Sequence, residues 1–364
     1  MVESKEIQPK IGTVLFETFT AHWCNNCGFH REAQYRHAHE YSQRRILPIS
    51  MNTLDENDLE TTGMSQPENY DRFKYYGGTG VPLSLFNGEV VSVSSTTDSP
   101  FAPDRIKGRK YSGSSSEYWK LRAVFDTVQK SYAVPICVSG ELNGVDGKAT
   151  LWYQLPEDAE ESKIVALFAI VQDNIYYYSD NGEKEHHFVV RQFIKEENSQ
   201  TYTHQLPKSS NFYSFIFKTK KMPENFEIIP DDSILVCFLQ NKETKQILSV
   251  TKYNLGNKAK SNAEVFTEKD VVFITPGEKI LSKFYITNFG PQILTAECKI
   301  IGDSDITANP ELIQTTILPG ATNEISFAIQ TPSTLLPGSS YKLTIAIKTS
   351  EGESLAKEIL IKTK

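Results

Sequence analysis

The chain has 364 residues, 39% of them hydrophobic and 23% charged, which suits a globular protein of two or three domains and excludes a disordered one. Its 45 acidic residues outnumber its 38 basic ones, for a net charge of −7, and the absence of any long basic block argues against a nucleic-acid partner. The longest apolar run, IVALFAIV from Ile164, falls well short of the ~20 residues that cross a bilayer, so no transmembrane segment is expected.

In chain order, MVESKEIQPK lacks the apolar core of a signal peptide. The chain is therefore expected either to be cytosolic or to have lost an export leader, and membrane anchoring is expected only through such a leader. Ile11 to Thr20 reads as a strand buried on both faces, Cys27 to Arg44 as a helix, and Arg45 to Met51 as a second strand. Asp55 to Tyr76 is polar, with Leu59, Tyr70, Phe73 and Tyr76 as helical anchors. Gly77-Gly78-Thr79-Gly80-Val81-Pro82 then precedes LSLFNGEVVSV, where Asn87-Gly88 between apolar runs predicts a hairpin. Ser114 to Tyr132 closes the segment as a helix with Tyr118, Leu121, Phe125 and Val128 on one face. Together these predict a mixed α/β domain over 1–132.

From Ala133 onward helix signals vanish. VPICVSGEL, KATLWYQL, KIVALFAIVQ, HFVVRQFI, NFYSFIFKTK, SILVCFLQ and QILSVTKYNL alternate with turns, the pattern of an all-β sandwich over 133–260. The polar linker 256–262 leads into a further set of short strands, with corners at Pro276-Gly277, Pro319-Gly320 and Pro337-Gly338. That predicts an immunoglobulin-like sandwich over 261–364. The expected fold class is an α/β domain followed by two all-β sandwiches.

The chemistry concentrates in Cys24-Asn25-Asn26-Cys27, which follows an apolar strand and opens a polar helix. A helix N-terminus favours the thiolate, and the thiolate is the nucleophile of disulfide exchange. The other cysteines, Cys137, Cys237 and Cys298, lie in strand contexts and read as buried apolar thiols, with a Cys137–Cys237 disulfide as the alternative. His22, Cys24, Cys27 and His30 also form H-x-C-x-x-C-x-x-H, whose donors suit zinc or copper. A structural zinc site normally draws on two separated ligand pairs, and this chain has no second CxxC, so neither a metal nor another cofactor is expected. As an imidazolium, His22 would stabilise a neighbouring thiolate; otherwise it is a solvated loop residue. His37 and His39 read as solvated surface, and His186-His187 as strand neighbours pointing to opposite faces. Tyr176-Tyr177-Tyr178, with Trp152 and Tyr153, concentrates aromatic surface suited either to peptide or sugar binding or to core packing.

Trp23-Cys24-x-x-Cys27, the strand–helix–strand frame around it, and Gly80-Val81-Pro82 ahead of the Asn87-Gly88 hairpin resemble the thioredoxin superfamily, over about 10–131. The resemblance implies a thioredoxin-like fold in which Cys24 attacks and Cys27 resolves. It also implies a cis Pro82, with Trp23, Val81 and Pro82 lining a surface for an extended substrate peptide. Asn25-Asn26 stands where thioredoxin itself has Gly-Pro, and Leu83 where Thr is usual. The family's buried acid aligns with Thr18; neighbouring Glu17 would modulate the resolving thiol only if turned inward, which strand alternation opposes. Over about 1–260 the chain also resembles the twenty-eight-kilodalton outer membrane protein family of bacterial surface proteins, and its last domain resembles bacterial adhesion-type modules. These resemblances imply an extracytoplasmic protein of the periplasm or cell surface. The expected function is thiol–disulfide oxidoreduction on protein or peptide thiols and disulfides. The alternatives are a non-catalytic surface binding or adhesion protein with a structural Cys24–Cys27 disulfide, and a metallochaperone.

Overall fold

A computed structural model describes the chain except for residues 1–12, 26, 29, 32–33, 36–45, 54–61, 91–133, 156–158, 208–209, 257–262, 268–270, 291, 304–305, 351 and 353. The helix expected over 114–132, together with His37 and His39, lies outside the described residues. The chain forms two compact units, Met1–Lys258 and Ala259–Lys364.

Fourteen strands of the first unit are described: β1 (Val14–Thr20), β2 (Ile46–Asn52), β3 (Leu83–Phe86), β4 (Glu89–Val90), β5 (Ile136–Asn143), β6 (Asp146–Tyr153), β7 (Ile164–Gln172), β8 (Ile175–Tyr176), β9 (Glu185–His186), β10 (Val189–Phe193), β11 (Thr203–Gln205), β12 (Phe212–Lys218), β13 (Ser233–Asn241) and β14 (Ile247–Asn254). A nine-stranded sheet runs β14-β13-β7-β10-β2-β1-β3-β4, with β11 also on β7. β2 is parallel to both β1 and β10, whereas β1 meets β3 antiparallel. Asn87 and Gly88, at φ 50° and 84°, make the two-residue turn between β3 and β4. A side chain at Gly88 would strike the Lys245 carbonyl oxygen, 2.2 Å from where its Cβ would lie.

The run IVALFAIV is explained by burial on both faces of β7. Ala166, Phe168 and Ile170 pack with Val138, Leu151 and Phe217 of the three-stranded sheet β12-β6-β5. Val165, Leu167, Ala169 and Val171 face the other way, into a core shared with Leu15, Phe19, Ile49 and Phe73. Phe73 comes from α1 (Pro67–Tyr75), the one α-helix described over its whole length. Pro67 starts it, where its missing N–H is no loss. Residues 25, 27, 28, 30, 31, 34 and 35 are also helical.

The second unit holds β15 (Ala263–Thr267), β16 (Val271–Ile274), β17 (Lys279–Asn288), β18 (Leu294–Gly302), β19 (Thr307–Asn309), β20 (Leu312–Ile317), β21 (Thr322–Gln330), β22 (Ser340–Thr349) and β23 (Ser354–Thr363). They form the sheets β15-β17-β21-β19 and β16-β23-β22-β18-β20 around one core containing Phe284, Phe327, Ile300, Ile345 and Ile359. β18 alternates buried and exposed residues almost without a break, the mark of a strand with one core face.

The expected α/β thioredoxin-like domain followed by two β-sandwiches is therefore corrected. More than half of the described residues are strand, and the first expected domain does not close on itself. Its β1–β4 end is continued by β10, β7, β13 and β14 through the pairing of Val189 with Ser50. A strand pair separated by ~140 residues leaves no local signature, because each strand's pattern records which faces are buried and not which neighbour supplies the hydrogen bonds.

Candidate functional site

β1 ends at Thr20, the chain turns through His22 and Trp23, and the helical residues begin at Asn25. Backbone N–H groups of Cys24 and Cys27 donate to the carbonyls of Ala21 (3.2 Å) and Cys24 (3.0 Å) and close this turn. Cys24 and Cys27 are joined by a disulfide, with Cα atoms 5.3 Å apart. Cys27 is fully buried, Cys24 is 7% exposed and Trp23 is 58% exposed, so the sulfur nearer to solvent is that of Cys24. The Val81–Pro82 peptide is cis, and the Val81 carbonyl oxygen lies 3.8 Å from Cys24 Sγ. The structure thus gathers Trp23, Cys24, Cys27, Val81 and Pro82 in one place.

The two residues expected to modulate the dithiol sit differently. His22 is buried, which corrects the solvated-loop reading; the Asn52 amide donates to its Nε2 (2.9 Å), and its ring lies 5.3 Å from those of Tyr177 and His186. Glu17 shares the face of β1 that carries Leu15 and Phe19. Arg72 Nε donates to it at 2.5 Å and the Tyr76 hydroxyl at 2.9 Å. Gln240 completes that cluster, accepting from Arg72 and donating to Tyr76. On the opposite face Thr18 Oγ1 lies 3.3 Å from Ser84 Oγ, and Ser84 also hydrogen-bonds His30 Nε2. His30 stands one helical turn after Cys27 and so shares its face. Where the resemblance expects a carboxylate, this chain has a hydroxyl pair and an imidazole.

Sequence reasoning missed the hairpin β8–β9. Its turn lies ~155 positions after the dithiol, and nothing local ties the two together. Asn181 N–H donates to the His22 carbonyl (3.0 Å), and its side-chain amide donates to the Cys24 carbonyl (3.2 Å). The hairpin tip therefore holds the dithiol turn. Behind it, Arg31 pairs with Glu183 and donates to Asn52 Oδ1 (3.4 Å) and His186 Nδ1 (3.3 Å). His186 Nε2 donates in turn to the Tyr177 carbonyl (2.9 Å). This ring is thus a neutral tautomer, and burial, reinforced by Arg31, pushes its pKa down to about 3. Burial raises the Glu183 carboxyl to about 7, against the pull of Arg31.

The H-x-C-x-x-C-x-x-H set is dispersed. The two sulfurs are bonded to each other, and the ring nitrogens named above face Asn52 and Ser84. No three His, Cys, Asp or Glu side chains converge as a metal set among the described residues. Cys137, Cys237 and Cys298 are buried, their thiols pushed up chiefly by burial. Tyr176 and Tyr178 point outward at 71% and 67% exposure, while Tyr177 packs inward against His22 and Phe226. Among the described residues, no helix is long and apolar enough to cross a membrane.

No protein-family model matches the chain, and no curated protein does. Among solved structures, HBP35 of Porphyromonas gingivalis is similar at 13% identity and a TM-score of 0.47, over 96% of this chain and 98% of that one. A domain of the outer membrane lipoprotein Omp28 from the same organism is similar at 14% identity and a TM-score of 0.25, over 34% of this chain and 88% of that one. The periplasmic chaperone SfaE is similar at 14% identity and a TM-score of 0.23, over 28% and 56%.

Proposed function

We propose that the Cys24–Cys27 pair is a thiol–disulfide exchange site acting on protein or peptide thiols and disulfides outside the cytoplasm, where such a disulfide persists. The observation that supports this most is the asymmetry of the pair. Cys24 lies at a strand-to-helix junction beside exposed Trp23 and the Val81 carbonyl, while Cys27 is sealed behind it. In the disulfide form a substrate thiolate attacks Cys24 Sγ. The Cys24–Cys27 bond breaks, and Cys27 leaves as a thiolate that takes up a proton. A second substrate thiolate then displaces Cys24 from the mixed disulfide. Substrate loses two electrons and two protons, and the protein gains both as a dithiol. The reverse sequence reduces a substrate disulfide, with Cys24 attacking and Cys27 resolving. Trp23, Val81 and Pro82 would form the docking edge, with the Val81 backbone accepting from an extended peptide.

A second reading has its own observation. Cys24 is itself nine-tenths buried, packed on Ala21 and Val81, and its carbonyl is capped by Asn181. That suits a structural disulfide in a surface binding or adhesion protein. Two measurements separate the readings. For exchange, Cys24→Ser abolishes reduction of insulin disulfides, and Cys27→Ser accumulates mixed disulfides. A couple below about −300 mV, with a Cys24 thiol near the ordinary 8.5, assigns the disulfide to structure. Full activity in Cys24→Ser ends the exchange reading.

A further inference from the structure

A cleft of about 380 Å³ opens beside the disulfide, between the helical residues Asn25, Gly28, Arg31, Gln34 and Tyr35 and the hairpin that ends in β9. That is room for one or two side chains. Asn25, next to Cys24, and Gly28, next to Cys27, form its near end, so a peptide held at Cys24 has the cleft within a few residues' reach. The far wall is aromatic: the Tyr35 ring lies 4.2 Å from that of His187 and 6.3 Å from that of Phe188.

The charges of the cleft are unequal. Arg31 supplies a guanidinium, buried and committed to Glu183, Asn52 and His186. Glu183, its carboxyl raised by burial to about 7, offsets that charge as it ionises. Glu185 then adds a half-exposed carboxylate, which accepts from the Tyr176 hydroxyl at 3.1 Å and stands 3.9 Å from His187 Nε2. His187, in the wall, is held by Asp173 at 2.7 Å. Glu183, Glu185 and His187 line the cleft and Lys184 does not, its ammonium lying 5.5 Å from the Tyr178 ring centroid. The floor is thus neutralised, the rim negative and the wall aromatic. An anionic ligand would meet Glu185 with no guanidinium to spare, whereas a cation gains both the carboxylate and the ring faces.

We infer that this cleft takes the lysine or arginine side chain of a peptide whose cysteine is presented to Cys24, so that the exchange site favours cysteines with a basic residue nearby. The inference rests on the exchange reading for its purpose but not for its test. The test is equilibrium binding of the oxidised full-length protein to three cysteine-free, end-blocked pentapeptides with Lys, Ala or Glu at the centre. The Lys peptide is expected to bind about fivefold tighter than the Ala peptide, and the Glu peptide weakest, with the preference shrinking at high salt. Glu185→Gln removes the preference, and Lys184→Gln, outside the cleft lining, retains it. Equal affinities for the three peptides, or a preference for Glu, overturn the inference. A parallel assay of the reduced protein with bis(2-hydroxyethyl) disulfide, too small to need the cleft, reads the exchange chemistry separately. Failure there with the Lys preference intact removes the redox purpose and leaves the cation site standing.

Discussion

Arg72 and Arg31 are both buried guanidiniums of the first unit, 2% and 5% exposed, and each is paired with a carboxylate, yet their surroundings differ. Arg72 lies on the Glu17 face of β1. Glu17, Tyr76 and Gln240 take up its donors, and it sits over the rings of Tyr76, Phe193 and Phe238 at 5.0, 5.7 and 4.8 Å. Its pKa is raised by the Glu17 charge against the cost of burial, so it stays charged at every accessible pH. Arg31 is on the side of the dithiol. Its partner Glu183 stands in a cleft wall with a carboxyl near 7, and its neighbour is an imidazole held neutral. The first cluster fastens β1 to α1 and β13 around a guanidinium that stays charged. The second joins the dithiol helix to the β8–β9 hairpin and contains two groups that can change theirs. Complete satisfaction identifies a structural charge pair; a pair that borders a cleft and holds shifted groups is where ligands and protons can act.

The comparison is sharpened most by removing each arginine. Arg72→Met leaves the Glu17 carboxylate buried without a countercharge, and the expected loss is about 3–5 kcal/mol, read from the urea midpoint of the first unit. The double variant Glu17→Gln/Arg72→Met should recover most of it, because no charge is then stranded. A single variant within 1 kcal/mol of the parent would show that this cluster is not a fastening.

How much of this was legible beforehand follows the range of each interaction. Cys24-x-x-Cys27 at a strand end, the Asn87-Gly88 turn and the doubly buried IVALFAIV run are local patterns, and each appears in the structure at the residues that predicted it. Period-2 alternation also predicted that Glu17 would face away from Thr18, as it does. What was illegible is non-local. The Val189–Ser50 pairing merges two expected domains into one sheet, and the Asn181 bonds bring a hairpin onto the dithiol turn. His22 misled for the same reason: a loop histidine reads as solvated until a distant tyrosine and histidine cover it.

The next effect is a pH dependence confined to the dithiol side. His186 faces Arg31, His22 and His187, and with burial they hold its folded pKa near 3 against an ordinary 6.5. A depressed folded value means the unfolded chain binds the proton first. The contribution is therefore fully present above pH 6.5 and lost as pH falls towards 3. Between pH 7 and 5 the loss amounts to about 2 kcal/mol. A His186→Gln variant should show a correspondingly flatter midpoint-against-pH curve over that interval. An identical slope in parent and variant would mean that the ring is protonated in the folded protein.

The smallest effect tests whether Arg31 and Arg72 differ in kind. In the parent, burial raises Glu183 from 4.5 to about 7, so its contribution is full below pH 4.5 and is lost as pH rises through 7. Removing Arg31 deletes the charge that holds this value down, so the folded pKa moves higher still and the loss continues into the alkaline range. At pH 6 the carboxyl of an Arg31→Met variant is protonated and no charge is stranded, so the cost is about 1 kcal/mol, that of the lost hydrogen bonds. At pH 8.5 the cost is larger, because the carboxylate must then ionise without its partner or remain protonated against the solvent. Arg72→Met should already be costlier than Arg31→Met at pH 6, and Tyr76, raised by burial, adds no ionisation over this interval. Urea midpoints of both variants at pH 6 and 8.5 decide the matter. Parallel pH profiles would place the two guanidiniums in one class and remove the reason for assigning ligand chemistry to the Arg31 side.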